Sequence, residues 1–158
     1  MPKQLKFAPR EVFEQILEFA VIPTFDLVII LPKGGVVIVK RKIAPYANQW
    51  ALPGLRMFKP ESIEETLLRV ARAELGLKIQ ADERIFLGQY VGRFKTEHER
   101  QDISTGYAVA ASAGDITLNI QHFTTYAVIG SASEIPRNMG AMYRYYLRNY
   151  FARGVRGK

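Results

Sequence analysis

The chain has 158 residues, 48% of them hydrophobic and 23% charged, which suits one domain around one core and excludes long disorder or a fibrous repeat. With no cysteine, it has no disulfides, thiolate metal sites or cysteine nucleophile. A net charge of +7 invites a nucleic-acid reading, but Arg144, Arg148, Arg153, Arg156 and Lys158 concentrate much of the excess near the C-terminus, so nucleic acid is the weaker expectation.

The first residues lack the apolar core of a signal peptide, and the apolar run 27–31 is too short to cross a bilayer. The expectation is a soluble, cytoplasmic protein with no membrane partner. Residues 8–20 predict a helix, because Val12, Phe13, Ile16, Leu17 and Phe19 recur at helical spacing with Glu11, Glu14 and Glu18 between them. Pro23 ends that run. Residues 25–31 and 36–40 are β-rich and flank the turn Pro32-Lys33-Gly34-Gly35, a predicted hairpin. Residues 44–53 read as a loop and 56–59 as a short strand.

The strongest helix signal covers residues 62–75. Ser62 is an N-cap candidate with Glu65 at capping-box spacing, and Gly76 stands at the usual C-terminal stop. Ile63, Leu67, Val70, Ala71 and Leu75 form the expected buried face. Strands follow near 84–91 and 106–112, separated by a charged loop over 95–102. Residues 121–128 lead into another strand, and a last helix covers 137–151. This order describes a mixed α/β chain, expected as a single domain over residues 1–158. Tyr143, Tyr145, Tyr146 and Tyr150 mark the last helix as a packing helix, expected at a homodimer interface rather than on a nucleic-acid surface.

The stretch with the most chemistry runs through Leu52-Pro53-Gly54-Leu55-Arg56, then Glu61, then Arg69-Val70-Ala71-Arg72-Ala73-Glu74-Leu75-Gly76-Leu77. Arg69 and Glu74 are five residues apart, at a wide angle on the helix, unlike a stacked i, i+4 surface pair. The Gly54 carbonyl and the Glu74 carboxylate are hard oxygen donors of the kind magnesium prefers, with water and phosphate completing its shell.

This run resembles the Nudix box over residues 54–77, and Trp50-x-x-Pro53-Gly54 resembles the usual approach to it. The resemblance implies a Nudix fold, with a mixed β-sheet sandwiched between helices. Leu55 replaces the second box glycine, and Val70 and Ala73 replace two of the three helix glutamates. The acidic cluster that holds several magnesium ions in an ordinary Nudix pyrophosphohydrolase is thereby reduced to Glu74. The ending over residues 69–76 is similar to that of the GDP-mannose mannosyl hydrolases, a subfamily that uses one magnesium and attacks carbon rather than phosphorus. Its other functional positions are matched in order by Asp26, Lys40-Arg41, Arg56, Arg69, Thr105-Gly106-Tyr107 and Gln121-His122. Arg93 stands about where that subfamily carries a histidine, and Phe123-Thr124-Thr125 replace its acidic residues after His122.

The resemblance implies a role for each matched residue. His122 is the candidate general base, with a structural histidine as its alternative. Glu74 is the candidate magnesium ligand, joined by the carbonyls of Gly54 and Gln121, with manganese as the alternative ion. Arg41, Arg56 and Arg69 face the leaving diphosphate, although Arg69 also suits a structural ion pair. Asp26 stabilises positive charge at the sugar or pairs with an arginine. Tyr107 and Gln121 are substrate-binding candidates, and a core tyrosine is the alternative for Tyr107. His98, among Glu97, Glu99 and Arg100, reads as a solvated loop residue. The expected function is hydrolysis of a GDP-hexose to GDP and free sugar, with inversion at the anomeric carbon. A Nudix pyrophosphohydrolase and a catalytically silent nucleotide- or RNA-binding module are the two alternatives.

Overall fold

Strand β1 (Ile22–Ile30) lies at the centre of the sheet in the computed structural model, which describes residues 4–44, 46–95 and 98–154. Arg156 and Lys158 of the basic tail lie outside the described residues. On one edge β1 runs parallel to β7 (Gln101–Ala113), from Ile22↔Asp102 to Ile30↔Ala110. Its other edge is divided. The short strand β4 (Gly54–Arg56) pairs antiparallel with the first half, and β2 (Val36–Arg41) meets β1 only at Ile30↔Val36. The expected hairpin therefore closes only at its turn. Gly34 and Gly35 there both take positive φ, 89° and 85°, which suits glycine and few other residues. Beyond the turn β2 pairs with β8 (Phe123–Ile129) and with the two-residue strand β3 (Trp50–Ala51), and β4 takes the place beside β1 that β2 vacates. Neither β3 nor the Gly54 start of β4 was expected, because strands of two or three residues are too short to show a period.

Leu27, Val28 and Ile29 of β1 are all fully buried, so both faces of the strand are covered. The cover comes from α2 (Ile63–Leu75) and α3 (Ala141–Gly154), which each pack on β1. Each fully buried aliphatic side chain contributes about 1.5–3 kcal/mol. The fold is the mixed α/β sheet between helices that the sequence implied.

Helix α2 forms as its sequence predicts. The Ser62 hydroxyl accepts from the Glu65 N–H, the Glu65 carboxylate accepts from the Ser62 N–H, and Gly76 closes the helix at φ 65°. Helix α3 starts at Ala141 rather than 137, and packs inward through Tyr143, Tyr146 and Leu147. Strand β7 begins at Gln101, inside the expected charged loop, and pairs with β6 (Ile85–Arg93) out to Arg93↔Gln101. The alternation of Asp102, Ser104 and Gly106 with larger residues is polar on one face, which hid this extension from a hydrophobic pattern.

Helix α1 (Arg10–Phe19) departs most from expectation, since none of its residues is buried. Phe13 and Leu17 are half-buried, while Val12, Ile16 and Phe19 face outward. His98 is not merely solvated. Its Nδ1 lies 3.1 Å from Glu18 Oε2 of α1.

Candidate functional site

A cavity of about 430 Å³ opens where the N-terminal half of β1, β4, the last turns of α2 and the turn before β8 converge, with α1 and α3 as walls. This is within the size range of small-ligand sites. Of the residues expected in a site, Asp26, Arg41, Gly54, Arg56, Arg69, Glu74 and His122 line it. Tyr107 and Gln121 do not. Tyr107 follows Gly106 on β7, so the two-residue strand period turns it to the opposite face, where it packs beside Phe25, Phe86 and Arg84. Gln121 is exposed in the turn ahead of β8.

Asp26 sits in register between two glycines, Gly54 of β4 and Gly106 of β7. A Cβ on Gly54 would fall 2.1 Å from Asp26 Oδ1, so only glycine leaves room for the carboxylate. Oδ2 accepts a hydrogen bond from the Ser104 hydroxyl at 2.5 Å. Burial raises the Asp26 carboxyl to about 7, against the lowering effects of Ser104 and the Arg41 charge, while Asp102 adds to the rise. Asp102 itself lines the cavity, and its Oδ1 accepts from Arg100 Nε at 2.8 Å.

Glu74 and His122 meet directly. His122 Nδ1 is 2.7 Å from Glu74 Oε1, and Glu74 is only 1% exposed. Burial raises the Glu74 carboxyl, and His122, Asn119 and Arg41 act against that rise. Asn119 binds the pair together. Its side-chain amide donates to Glu74 Oε1 at 3.2 Å, and its backbone N–H donates to the Glu74 carbonyl. Its side-chain oxygen accepts from the Gln121 N–H, and its carbonyl accepts from the His122 N–H. With Nδ1 turned to Glu74, Nε2 of a neutral His122 ring is the free acceptor. Asn119 was not anticipated. The cue present in the sequence is an Asx-turn residue two positions before Gln121-His122.

Arg69 of α2 is gripped by the segment that leads into its helix. Nε donates to Glu61 Oε2 at 2.7 Å, and Nη2 donates to Glu61 Oε1 at 2.9 Å and to the Arg56 carbonyl at 2.6 Å. Arg56 is held differently, with its guanidinium 3.8 Å from the Phe13 ring centroid and 4.8 Å from that of Phe58. The two rings hold the cation by its π contacts, and no hydrogen bond from its N–H groups is found among the described residues. Burial, then the charges of Arg100 and Arg69, lower its pKa, and it remains a cation.

Glu74 and Gly54 supply oxygen donors that could hold a divalent ion. Glu74 Oε1 is taken by His122 and Asn119, while Oε2 receives no hydrogen bond among the described residues. The Gly54 backbone borders the same cavity. Carboxylate and carbonyl oxygens are magnesium donors. Among the described residues no group of three or more His, Cys, Asp or Glu side chains could hold an ion, and Val70, in place of a box glutamate, is fully buried in the core.

Comparison with known proteins agrees with this fold. A model of the NUDIX domain matches residues 21–129. The low-salt glycan biosynthesis protein Agl8 of Haloferax volcanii is 27% identical over 123 residues, covering 72% of this chain and 74% of that protein. A MutT NUDIX hydrolase of Burkholderia pseudomallei superposes with a TM-score of 0.70 at 19% identity, over 81% of this chain and 96% of that one. The NUDIX domain of Shewanella oneidensis NrtR, solved with ADP ribose, superposes with a TM-score of 0.68 at 17% identity, over 85% of this chain and 88% of that one. No helix among the described residues is long and apolar enough to cross a membrane.

Proposed function

The chain belongs to the NUDIX domain family, and on that premise we propose that it hydrolyses a GDP-hexose of the GDP-mannose type to GDP and free sugar, by displacement at the anomeric carbon. The observation that carries this reading is the 2.7 Å contact between His122 and Glu74 at the edge of a cavity that also holds Asp26 and Arg56. A histidine with one nitrogen anchored and the other free is arranged to take a proton from water. Multi-metal attack at phosphorus needs the acidic cluster that Val70 and Ala73 have replaced. Agl8 is named for glycan biosynthesis, which fits a substrate of this class.

In this mechanism Arg56 and Arg41 bind the diphosphate, and Arg69 braces the end of β4 that carries Arg56. Asp26 faces the sugar and favours positive charge developing at its anomeric carbon. His122 takes a proton from the attacking water as the water oxygen bonds to that carbon. The bond from carbon to the β-phosphate oxygen breaks, its electron pair leaves with GDP, and the sugar inverts. Glu74 and the Gly54 carbonyl would hold magnesium or manganese, and the Gln121 carbonyl is the further donor that the family resemblance implies. When bound, the ion supplies neutralisation of charge on the departing diphosphate.

Incubation with magnesium and GDP-mannose, read by phosphorus and proton NMR, tests the proposal. GDP and mannose, appearing first as the β anomer, support it. GMP and mannose 1-phosphate would establish cleavage between phosphates instead. An absence of turnover across a panel of nucleoside diphosphate sugars would favour a silent binding domain.

A further inference from the structure

We propose that Ser104 and Tyr146 are positioning residues for Asp26, forming a buried chain of two hydroxyls that holds its carboxylate in one orientation towards the cavity. This inference rests on the role given to Asp26 above.

The chain starts in α3 and ends in the site. The Tyr146 hydroxyl lies 2.9 Å from Ser104 Oγ and 3.0 Å from the Ser104 carbonyl, and Ser104 Oγ in turn lies 2.5 Å from Asp26 Oδ2. When Asp26 is ionised its carboxylate can only accept, so the Ser104 proton then points to Asp26, while the Tyr146 hydroxyl donates to Ser104 at Oγ or at its carbonyl. Each hydroxyl polarises the next, which strengthens the final bond. Burial raises the Tyr146 phenol above its ordinary pKa, so it stays a donor.

The backbone makes room for this arrangement. Ser104 and Tyr146 have no exposed surface, and a Cβ on Gly106 would fall 2.5 Å from the Tyr146 ring. A glycine on β7 is therefore what lets a helix tyrosine reach the sheet beside Asp26. A core needing only volume here would be filled as well by alanine and phenylalanine, without two polar groups to satisfy. Among the described residues the Ser104 hydroxyl has no partner beyond Tyr146 and Asp26, so its only polar contact with the cavity is through that carboxylate.

Steady-state turnover of GDP-mannose, or of the sugar nucleotide the panel identifies, provides the test, with melting temperatures confirming that each variant folds. Ser104→Ala is expected to lower kcat about tenfold and Tyr146→Phe about threefold, with KM within about twofold of wild type, as misorientation costs rate rather than binding. Ser104→Thr, which keeps the hydroxyl, is expected to restore most of the rate. In an Asp26→Asn background, Ser104→Ala is expected to cost nothing further, because the charge it orients is gone. A full and independent loss in that background, or unchanged kcat in Ser104→Ala and Tyr146→Phe while Asp26→Asn is slow, overturns the positioning role alone. Unchanged kcat in Asp26→Asn, or a wild type without turnover on any sugar nucleotide, overturns the reading of Asp26 and this inference with it. If Ser104→Ala fails to fold, Tyr146→Phe in the two backgrounds makes the same comparison.

Discussion

Arg69 holds Glu61 with two parallel hydrogen bonds, at 2.7 and 2.9 Å, and reaches the Arg56 carbonyl with the same guanidinium. Lysine could supply the charge but not the fork. Arg69→Lys is therefore expected to cost about 1–3 kcal/mol of stability, seen as a fall in melting temperature, with a smaller loss of turnover per folded molecule. Unchanged melting with abolished turnover would instead assign Arg69 to the reaction itself.

The same pair makes stability depend on pH. Burial alone would raise the Glu61 carboxyl, but Arg69, the Phe58 N–H and Thr66 outweigh it and hold the pKa below its ordinary 4.5. A carboxyl depressed on folding stabilises the protein above its unfolded pKa, and that contribution is lost as pH falls through the folded value. The stability difference between wild type and Glu61→Gln should be constant at neutral pH and shrink below about 4.5, where the unfolded carboxyl begins to protonate. Denaturant melts from pH 3 to 7 measure this, and a difference that grows on acidification would contradict it.

Gly54 answers to Asp26. A methyl group there would meet Oδ1 at 2.1 Å and the Phe25 carbonyl at 2.7 Å. Since one contact is backbone, the clash is relieved only by moving β4 away from β1. Gly54→Ala is expected to lose about 1–3 kcal/mol and most of its activity, because β4 also carries Arg56. A variant with wild-type melting and turnover would show that Asp26 does not occupy that space.

Much of this was legible in the sequence, and the failures have physical causes. Helix α2 could be read because its cap, apolar face and glycine stop all act within fifteen residues. Seven of the nine candidate site residues border one cavity, since a short motif and a few strand-end residues constrain one another. Tyr107 was misplaced because a Thr-x-Tyr spacing does not say which face of the sheet is which, and one residue of register reverses it. The hairpin was over-read because local turn chemistry does not reveal that β4, twenty residues on, competes for the same edge. The site roles of Phe13 and Phe58 arise only from contacts across the fold, whereas that of Asn119 had a local cue in its turn position.

His122 and Asn119 make separable contributions. His122→Gln is expected to lower kcat by about a hundredfold to ten-thousandfold, the range for losing a general base, with nucleotide affinity nearly unchanged. Asn119→Ala removes a brace on the Glu74–His122 pair but neither partner, so about a tenfold loss is expected. Equal activity in His122→Gln would sink the assigned base. A larger loss in Asn119→Ala than in His122→Gln would shift the role to the turn itself.

Helix α1 has no buried residue, yet it places Phe13 against the guanidinium of Arg56. A partly desolvated cation over a ring gains about 0.5–2 kcal/mol, and here the contact restrains Arg56 at the wall of the cavity. Phe13→Ala leaves Arg56 less well oriented and is expected to weaken GDP binding by at most roughly two- to thirtyfold, with only a small fall in melting temperature because so little of α1 is packed. Phe13→Tyr, which keeps the ring, should bind GDP like the wild type. Calorimetric titration with GDP and magnesium measures both. If Phe13→Ala bound as tightly as the wild type, Phe58 alone would suffice to hold Arg56, and α1 would be a wall of the cavity without a part in recognising its ligand.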